Sequence, residues 1–346
     1  MGCTSICFVD NGHSVYATNY DYKNISEGNL FVNKKNVSKK SPFPNAKGEH
    51  HDWISKYGSV TFNLGALQFA WAGINEAGLV MSTMYLEETQ TPEVDNRHAF
   101  EAGLWMQYLF DKCGSVEEVI ASNKVISNNS TVDHHIVCDR EGKCAVIEFL
   151  NGKTVIYTDK TLPIRLLTNN IYEESIKPRA QRRVWRFYQK IKPFSKASIY
   201  RFDIATKRLK NYQLNKVDST VEYAFDTLEK ASQNITQWSI VFDTANLEVH
   251  FRTKKNNGIR SFKLSSFDFS SATPVKMLNI HENLSGDTAE HFINYSHETV
   301  FHSYKKYMKK YYKMNKKGKI PSDDILDMHL RFLKSFAVDI PLNSDF

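Results

Sequence analysis

Two short apolar runs near the start of the chain, residues 5–9 and 14–17, are separated by Asp10-Asn11-Gly12. An Asn-Gly pair suits the left-handed positions of a tight two-residue turn, whose twist matches that of paired strands. The chain therefore opens as an antiparallel hairpin, and the end of its second strand returns beside the start of its first. This brings Asp21 back toward Cys3. A thiol and a carboxylate are thus expected near one another at the very front of the molecule.

The rest of the chain alternates between strand and helix signals. Residues 30–37, 59–62, 69–71 and 79–84 read as strands, with Gly73-Ile74-Asn75-Glu76-Ala77-Gly78 as a turn-like connector. Residues 99–113 carry apolar side chains at helical spacing. Ser115 with Glu118 three residues later has the form of a capping box for a second helix. Residues 132–158 read as a β-meander with turns at 139–143 and Asn151-Gly152. A basic, mostly helical stretch follows at 176–190, then a helix at 221–231. Strands are expected at 238–242, 248–253 and 259–263. This order lacks a strict βαβα rhythm, which favours antiparallel sheets with helices on their outer faces.

Length and composition set the outer limits. The 346 residues allow two domains or one large one. Hydrophobic residues make up 41% and the mean hydropathy is −0.46, values of a soluble chain with material for a core. No stretch approaches the roughly 20 apolar residues of a membrane helix, so no membrane partner is expected. No basic-then-apolar leader precedes the first strand. Cytoplasmic location is expected for the chain as written, and export if a leader has been removed. The net charge of +7 owes much to the run KKYMKKYYKMNKKGK. A nucleic-acid or anionic-membrane patch is one reading. A solvated helix face whose tyrosines pack inward is the better one, and no nucleic-acid partner is expected.

The five cysteines, Cys3, Cys7, Cys113, Cys138 and Cys144, match no disulfide scaffold by spacing. His134, His135, Cys138 and Cys144 cluster in sequence and raise zinc. Neighbouring strand residues point to opposite faces, however, so His134 and His135 cannot share a metal without a bulge. Cys138 and Cys144 are expected as cross-strand neighbours about a plain hairpin. No metal or cofactor is expected.

If Met1 and Gly2 are removed, Cys3 carries both a thiol and a free α-amine. The amine, with a pKa near ~7.7, is poised to take the thiol's proton. One residue then supplies nucleophile and base for attack on an amide carbonyl. Acylation at the front is not expected, because Ile6 occupies the Ser/Thr position of the myristoylation pattern.

The pattern Cys3-Thr4 followed by Ala17-Thr18-Asn19-Tyr20-Asp21 resembles the N-terminal nucleophile hydrolases of the choloylglycine hydrolase and penicillin V acylase family, the linear amide C–N hydrolases. The resemblance continues in order through GINEAGLVMSTMYLEE (73–88), LLTNN (166–170), SIYRF (198–202) and TQWSIVFDTANLEVHFRT (236–253), and spans roughly residues 3–280. Acid ceramidase relatives also begin Cys-Thr-Ser-Ile, but the later segments fit them less well.

The resemblance implies an α+β fold, a four-layer αββα sandwich of two mainly antiparallel sheets between helical layers. It implies one domain over 3–346, with a basic helical segment at about 290–346, and suggests a homo-tetramer. The implied activity is autoprocessing followed by hydrolysis of a small-molecule N-acyl amide. In it Cys3 is the nucleophile, Asp21 fixes the new α-amine, Tyr85 and Asn169 line the oxyanion site, and Arg201 sits beside the sulfur. The alternatives are an N-acyltransferase on the same fold and a non-catalytic binding member. Taken singly, each residue has a structural reading: Asp21 caps a turn, Asn169 turns the chain, Tyr85 fills a core, Arg201 lies on a surface strand. Their joint order favours function.

One position departs from the pattern. Where the family usually has Arg, three residues before the Asp, this chain has Thr18. Loss of that cation leaves the thiol pKa higher unless Arg201 compensates. It also widens the expected pocket floor at Thr18, a substrate-contact position, and disfavours an acidic substrate group there. Weak activity on conjugated bile salts and penicillin V is expected.

Overall fold

A computed structural model of the protein describes residues 2–41, 44–67, 70–100, 102–129, 132–177, 193–315 and 317–335. Asn11 and Gly12 adopt positive φ angles of 48° and 84° and close a hairpin of β1 (Gly2–Asp10) and β2 (His13–Asp21). After it come β3 (Asn29–Asn33), the small pair β4 (Ser38–Lys40) and β5 (Asp52–Ile54), then β6 (Ser59–Asn63), β7 (Ala70–Asn75), β8 (Val80–Tyr85) and β9 (His98–Phe100). Helices α1 (Ala102–Lys112) and α2 (Val116–Ser122) lead to β10 (Ile126–Asn128) and the meander β11 (Asp133–Cys138), β12 (Cys144–Leu150) and β13 (Lys153–Thr158). Then follow β14 (Leu166–Leu167), α3 (Tyr172–Ile176), α4 (Pro193–Leu214) and α5 (Thr220–Lys230). Strands β15 (Thr236–Asp243), β16 (Glu248–Thr253), β17 (Arg260–Lys263), β18 (Lys276–Asn279), β19 (Gly286–Asp287) and β20 (Ile293–Asn294) precede α6 (His297–Asn315) and α7 (Asp323–Ser335).

Among the described residues the large strands form two sheets. The first has the order β14-β1-β2-β15-β16-β17-β19 and the second β13-β12-β11-β8-β7-β6-β3-β18-β20. Every pairing in them is antiparallel except β17 with β19. Strand β1 of the first sheet lies against β8 of the second; α4 and α5 cover the first sheet at β1 and β2, and α1 covers the second at β7. The result is the four-layer αββα sandwich.

Alternation along the strands sorts side chains between layers. On β11 and β12, Ile136, Cys138, Cys144 and Val146 join the cluster between the sheets. Val137, Ala145, Ile147 and Phe149 join the cluster under α1. A third cluster, with Phe31, Leu67, Val300, Tyr304, Leu326 and Leu330, fastens α6 and α7 to the β3–β18 end of the second sheet. Residues 305–315 of the basic run lie on α6, where Tyr307, Tyr311 and Tyr312 are half-buried.

Several expectations shift in detail. Gly73 lies inside β7 rather than in a turn, and a Cβ there would meet the Val60 carbonyl at 2.9 Å and Thr61 at 2.8 Å. The turn is made by Asn75, whose Oδ1 accepts from the Ala77 and Leu79 amides and whose Nδ2 donates to the Phe110 and Cys113 carbonyls at the end of α1. Ser115 caps α2 by accepting from Glu118 N, while the Glu118 carboxylate takes the amide of Gly114 instead of that of Ser115. Beyond Lys177, the helix expected at 176–190 lies outside the described residues. Cys138 and Cys144 pair across the hairpin as expected, and they are joined by a disulfide, which their spacing alone does not announce. His134 pairs with Glu148 at 2.9 Å, whereas His135 packs on Trp105. The two histidines therefore serve opposite faces of β11.

Candidate active site

The two-residue turn sets the register of β1 against β2, so Gly2 faces Asp21, Cys3 faces Tyr20, and Ser5 faces Thr18. Cys3 begins the sandwich's central hairpin and is completely buried. Its backbone nitrogen donates to Asn169 Oδ1 at 2.6 Å. Asn169 stands just after the short edge strand β14, which pairs with β1 on the side away from β2. Its own amide nitrogen donates to Ser198 Oγ at 2.8 Å, and its Nδ2 donates to the Tyr85 carbonyl at 2.8 Å.

Arg201 ties these pieces together. One guanidinium nitrogen donates to the Cys3 carbonyl and to Thr4 Oγ1 at 2.8 Å. The other donates to Asn169 Oδ1 at 2.9 Å. The Asp21 carboxylate lies 3.8 Å away and both groups are buried. Arg201 is not on a surface strand but on α4, one turn after Ser198, with both side chains turned toward the sheet. Asp21 is held from its other side: Gln233 Nε2 donates to it at 2.7 Å and Thr236 Oγ1 at 2.6 Å. Gly2 fits tightly here, since a Cβ would stand 2.8 Å from Gln233 Nε2 and 3.1 Å from Arg201.

Burial pushes the Cys3 thiol up to about 12, with the Asp21 charge adding to the rise and Arg201 opposing it. Burial also raises the Asp21 carboxyl, against the pull of Arg201 and its two hydrogen-bond donors. With Gly2 still attached the thiol is therefore protonated at neutral pH, and Cys3 has no basic amine.

Four of the five expected catalytic residues meet through direct contacts: Cys3, Asp21, Asn169 and Arg201. Tyr85 joins through its backbone carbonyl. Thr18 lies on the face turned toward the second sheet, fully buried, and its hydroxyl shares a hydrogen bond with Ser5 at 2.7 Å. Ser5 in turn reaches Ser82 of β8 at 2.9 Å. Sequence reasoning passed over Thr4, Ser198, Gln233, Thr236 and Tyr20. The last was accessible, because a two-residue turn at Asn11-Gly12 pairs Cys3 with Tyr20. The others come from remote segments with no local signal.

The head of the first hairpin thus gathers a buried cysteine, an Arg–Asp pair and an amide side chain. A family model for linear amide C-N hydrolases, choloylglycine hydrolase family, matches residues 3–175, half of the chain. The chain belongs to this family and is a linear amide C–N hydrolase. It is 23% identical over 321 residues to a penicillin V acylase of Pectobacterium atrosepticum, covering 78% of this chain and 82% of the relative. Its fold is similar to that of a penicillin V acylase from Agrobacterium tumefaciens (TM-score 0.71, 21% identity, 85% of this chain and 98% of the other). It is also similar to that of a conjugated bile acid hydrolase from Clostridium perfringens (TM-score 0.62, 14% identity, 82% and 98%).

Proposed function

We propose that the protein hydrolyses a small-molecule N-acyl amide through Cys3 after Met1 and Gly2 are removed. The observation that carries this is the Cys3 nitrogen, held 2.6 Å from Asn169 Oδ1 beside the Arg201–Asp21 pair. Removing Gly2 turns that nitrogen into an α-amine already seated among acceptors. The amine takes the thiol proton, and its positive charge favours the thiolate that burial otherwise suppresses. The thiolate adds to the amide carbonyl, and the leaving nitrogen departs with the proton from the α-amine. Water, activated by the same amine, then clears the thioester. Arg201 and Asp21 fix the electrostatics around the sulfur, and Asn169 Nδ2, which the Tyr85 carbonyl orients, is the donor for the tetrahedral oxygen.

The relatives are named for penicillin V and conjugated bile acids. Thr18 supports a different N-acyl amide for this chain, because no cation stands at that position to meet an acidic substrate group. The same reading takes residues 3–346 as one domain and a homo-tetramer as the assembly, which light scattering checks.

The test is a panel of N-acyl amides with wild type and Cys3→Ala, alongside the intact mass of each. The wild type is expected to lack two residues and to release free amine. Cys3→Ala is expected to keep its circular dichroism and lose all turnover. An active enzyme that retains Met1-Gly2 would rule out the α-amine as base, and activity in Cys3→Ala would rule out the thiol.

A further inference from the structure

Cys7, Cys138 and Cys144 meet away from the active site. Their sulfurs all lie within 4.8 Å of one another, and all three residues are buried. Cys7 belongs to β1 of the first sheet, whereas Cys138 and Cys144 end β11 and begin β12 of the second. Alternation places them together. Cys7 shares a face of β1 with Ser5, which reaches across to Ser82 of the second sheet. Cys138 and Cys144 lie in the apolar cluster between the sheets with Ile136 and Val146. The two hairpin turns are also docked on each other. His13 Nδ1 donates to the Arg140 carbonyl at 2.9 Å, and a Cβ on Gly142 would stand 3.2 Å from the Gly12 carbonyl and from Val9.

Two neighbours bear on what this cluster can hold. Ser14 lies on the same face of the first hairpin, next on that face to Tyr16, the cross-strand partner of Cys7. Its hydroxyl is completely buried and has no hydrogen-bond partner among the described residues. Arg165 stands beside Cys7, whose backbone nitrogen donates to its carbonyl at 2.9 Å. Burial pushes the Cys7 thiol up to about 11, and the Arg165 charge opposes that rise. A single buried cysteine is an inert small hydrophobe, but three sulfurs with an unsatisfied hydroxyl are four donors. Sulfurs bound at ~2.3 Å around a tetrahedral ion stand ~3.8 Å apart, which the cluster reaches with small rotations. Charge selects the ion. Three thiolates around a divalent cation leave a single negative charge for Arg165 to meet. A monovalent ion would leave two in an apolar gap.

We propose that the reduced protein binds a zinc ion through Cys7, Cys138 and Cys144, with the Ser14 hydroxyl as fourth donor. The Cys138–Cys144 disulfide and the metal are alternative states of this site. A dithiol or phosphine reductant gives the S–S bond two electrons, and two protons complete the Cys138 and Cys144 thiols. Zinc then displaces the protons of all three thiols. The disulfide joins strands that are already neighbours in one sheet, whereas zinc fastens the first sheet to the second. The site is separate from the amide chemistry of Cys3.

The test uses the full-length Cys3→Ala chain, which lacks the active-site thiol, with zinc present before and after reduction by a phosphine. Metal retained through gel filtration is measured by elemental mass spectrometry, and its ligands by X-ray absorption. The reduced chain is expected to hold about one zinc with three sulfurs at ~2.3 Å, and its thermal midpoint to rise with zinc. The oxidised chain is expected to hold none. Cys7→Ser, with its fold checked by circular dichroism, is expected to weaken binding by at least about 100-fold, and Ser14→Ala by about 10-fold. Cys113→Ser is expected to change nothing. No zinc after reduction, equal zinc in the oxidised chain, fewer than three sulfurs around the ion, or undiminished binding in a folded Cys7→Ser chain would each overturn the proposal. The X-ray absorption result decides even if Cys7→Ser does not fold.

Discussion

Asn169 joins three parts of the site. Its Oδ1 accepts from both the Cys3 nitrogen and Arg201, and its Nδ2 holds the Tyr85 carbonyl. On the proposed mechanism, truncating it to Ala removes a donor of the anion site and loosens the amine. The expected loss is on the order of 100-fold or more in kcat, measured on whichever amide the panel identifies. Thr18 makes the opposite argument. Its hydroxyl serves the Ser5–Ser82 link between the sheets, and no cation takes the place of the family's Arg at that position. Wild type is expected to hydrolyse taurine- and glycine-conjugated bile salts and penicillin V weakly or not at all, and robust turnover of either would show that Thr18 does not control this preference. Thr18→Arg must bury a guanidinium between two sheets, so its thermal midpoint is expected to fall as well.

Individual elements explain why the site has the shape it has. Strand β7 runs through Gly73 because nothing larger fits between Thr61, the Val60 carbonyl and Phe110. Gly73→Ala is expected to cost about 1–3 kcal/mol of stability through overpacking, read from urea unfolding. A neutral result would mean that β6 yields more easily than its pairing suggests. The family's Asn-Glu-x-Gly-Leu segment also becomes intelligible at this scale. Asn75 locks the β7–β8 turn to the end of α1, and Glu76 accepts from Gly58 N at 2.7 Å and from Lys35 at 2.8 Å. These residues shape the fold, and through β8 they place Tyr85. Helix α4 escaped the sequence reading because its buried face, Ser198, Arg201, Phe202, Ala205 and Leu209, has helical spacing but opens with two polar residues. A search for apolar periodicity passes over it.

Across the whole molecule, buried titratable groups bound the pH range of stability. His135 is held down to about 3 by burial and by its neighbour His134, and His281 to about 4, chiefly by burial. Both are neutral when folded and take up protons on unfolding. Their contribution is present above about 6.5, their ordinary value, and is lost as pH falls through 4 and 3. The thiols of Cys3, Cys7 and Cys113 shift the other way, raised by burial to about 12, 11 and 12. Their contribution is present below pH 9, their ordinary value in the same items, and is lost as pH rises through 11 and 12. The urea midpoint of the unprocessed Cys3→Ala chain is therefore expected to be flat between about 6.5 and 9 and to fall on both sides. A midpoint still rising below pH 5 would contradict the burial of the histidines. No helix among the described residues is long and apolar enough to cross a membrane.

The sequence by itself determined the hairpin at Asn11-Gly12, the β-meander, the capped helix at Ser115 and the order of motifs that marks the family. All of these rest on local chemistry: turn residues that accept positive φ, alternation, a side chain that reaches its own backbone. Only the tertiary structure decided which side chains meet. Arg201, Asn169 and the Gln233–Thr236 turn converge on Cys3 and Asp21 from three separate segments, and no pattern within any one of them records the meeting. The same holds for the tyrosines of α6. Their spacing predicts a helix with an inward face, but what that face covers depends on the packing of α6 and α7 against the end of the second sheet. Contacts between residues hundreds of positions apart are set by how layers pack, and that information lies in the whole chain at once.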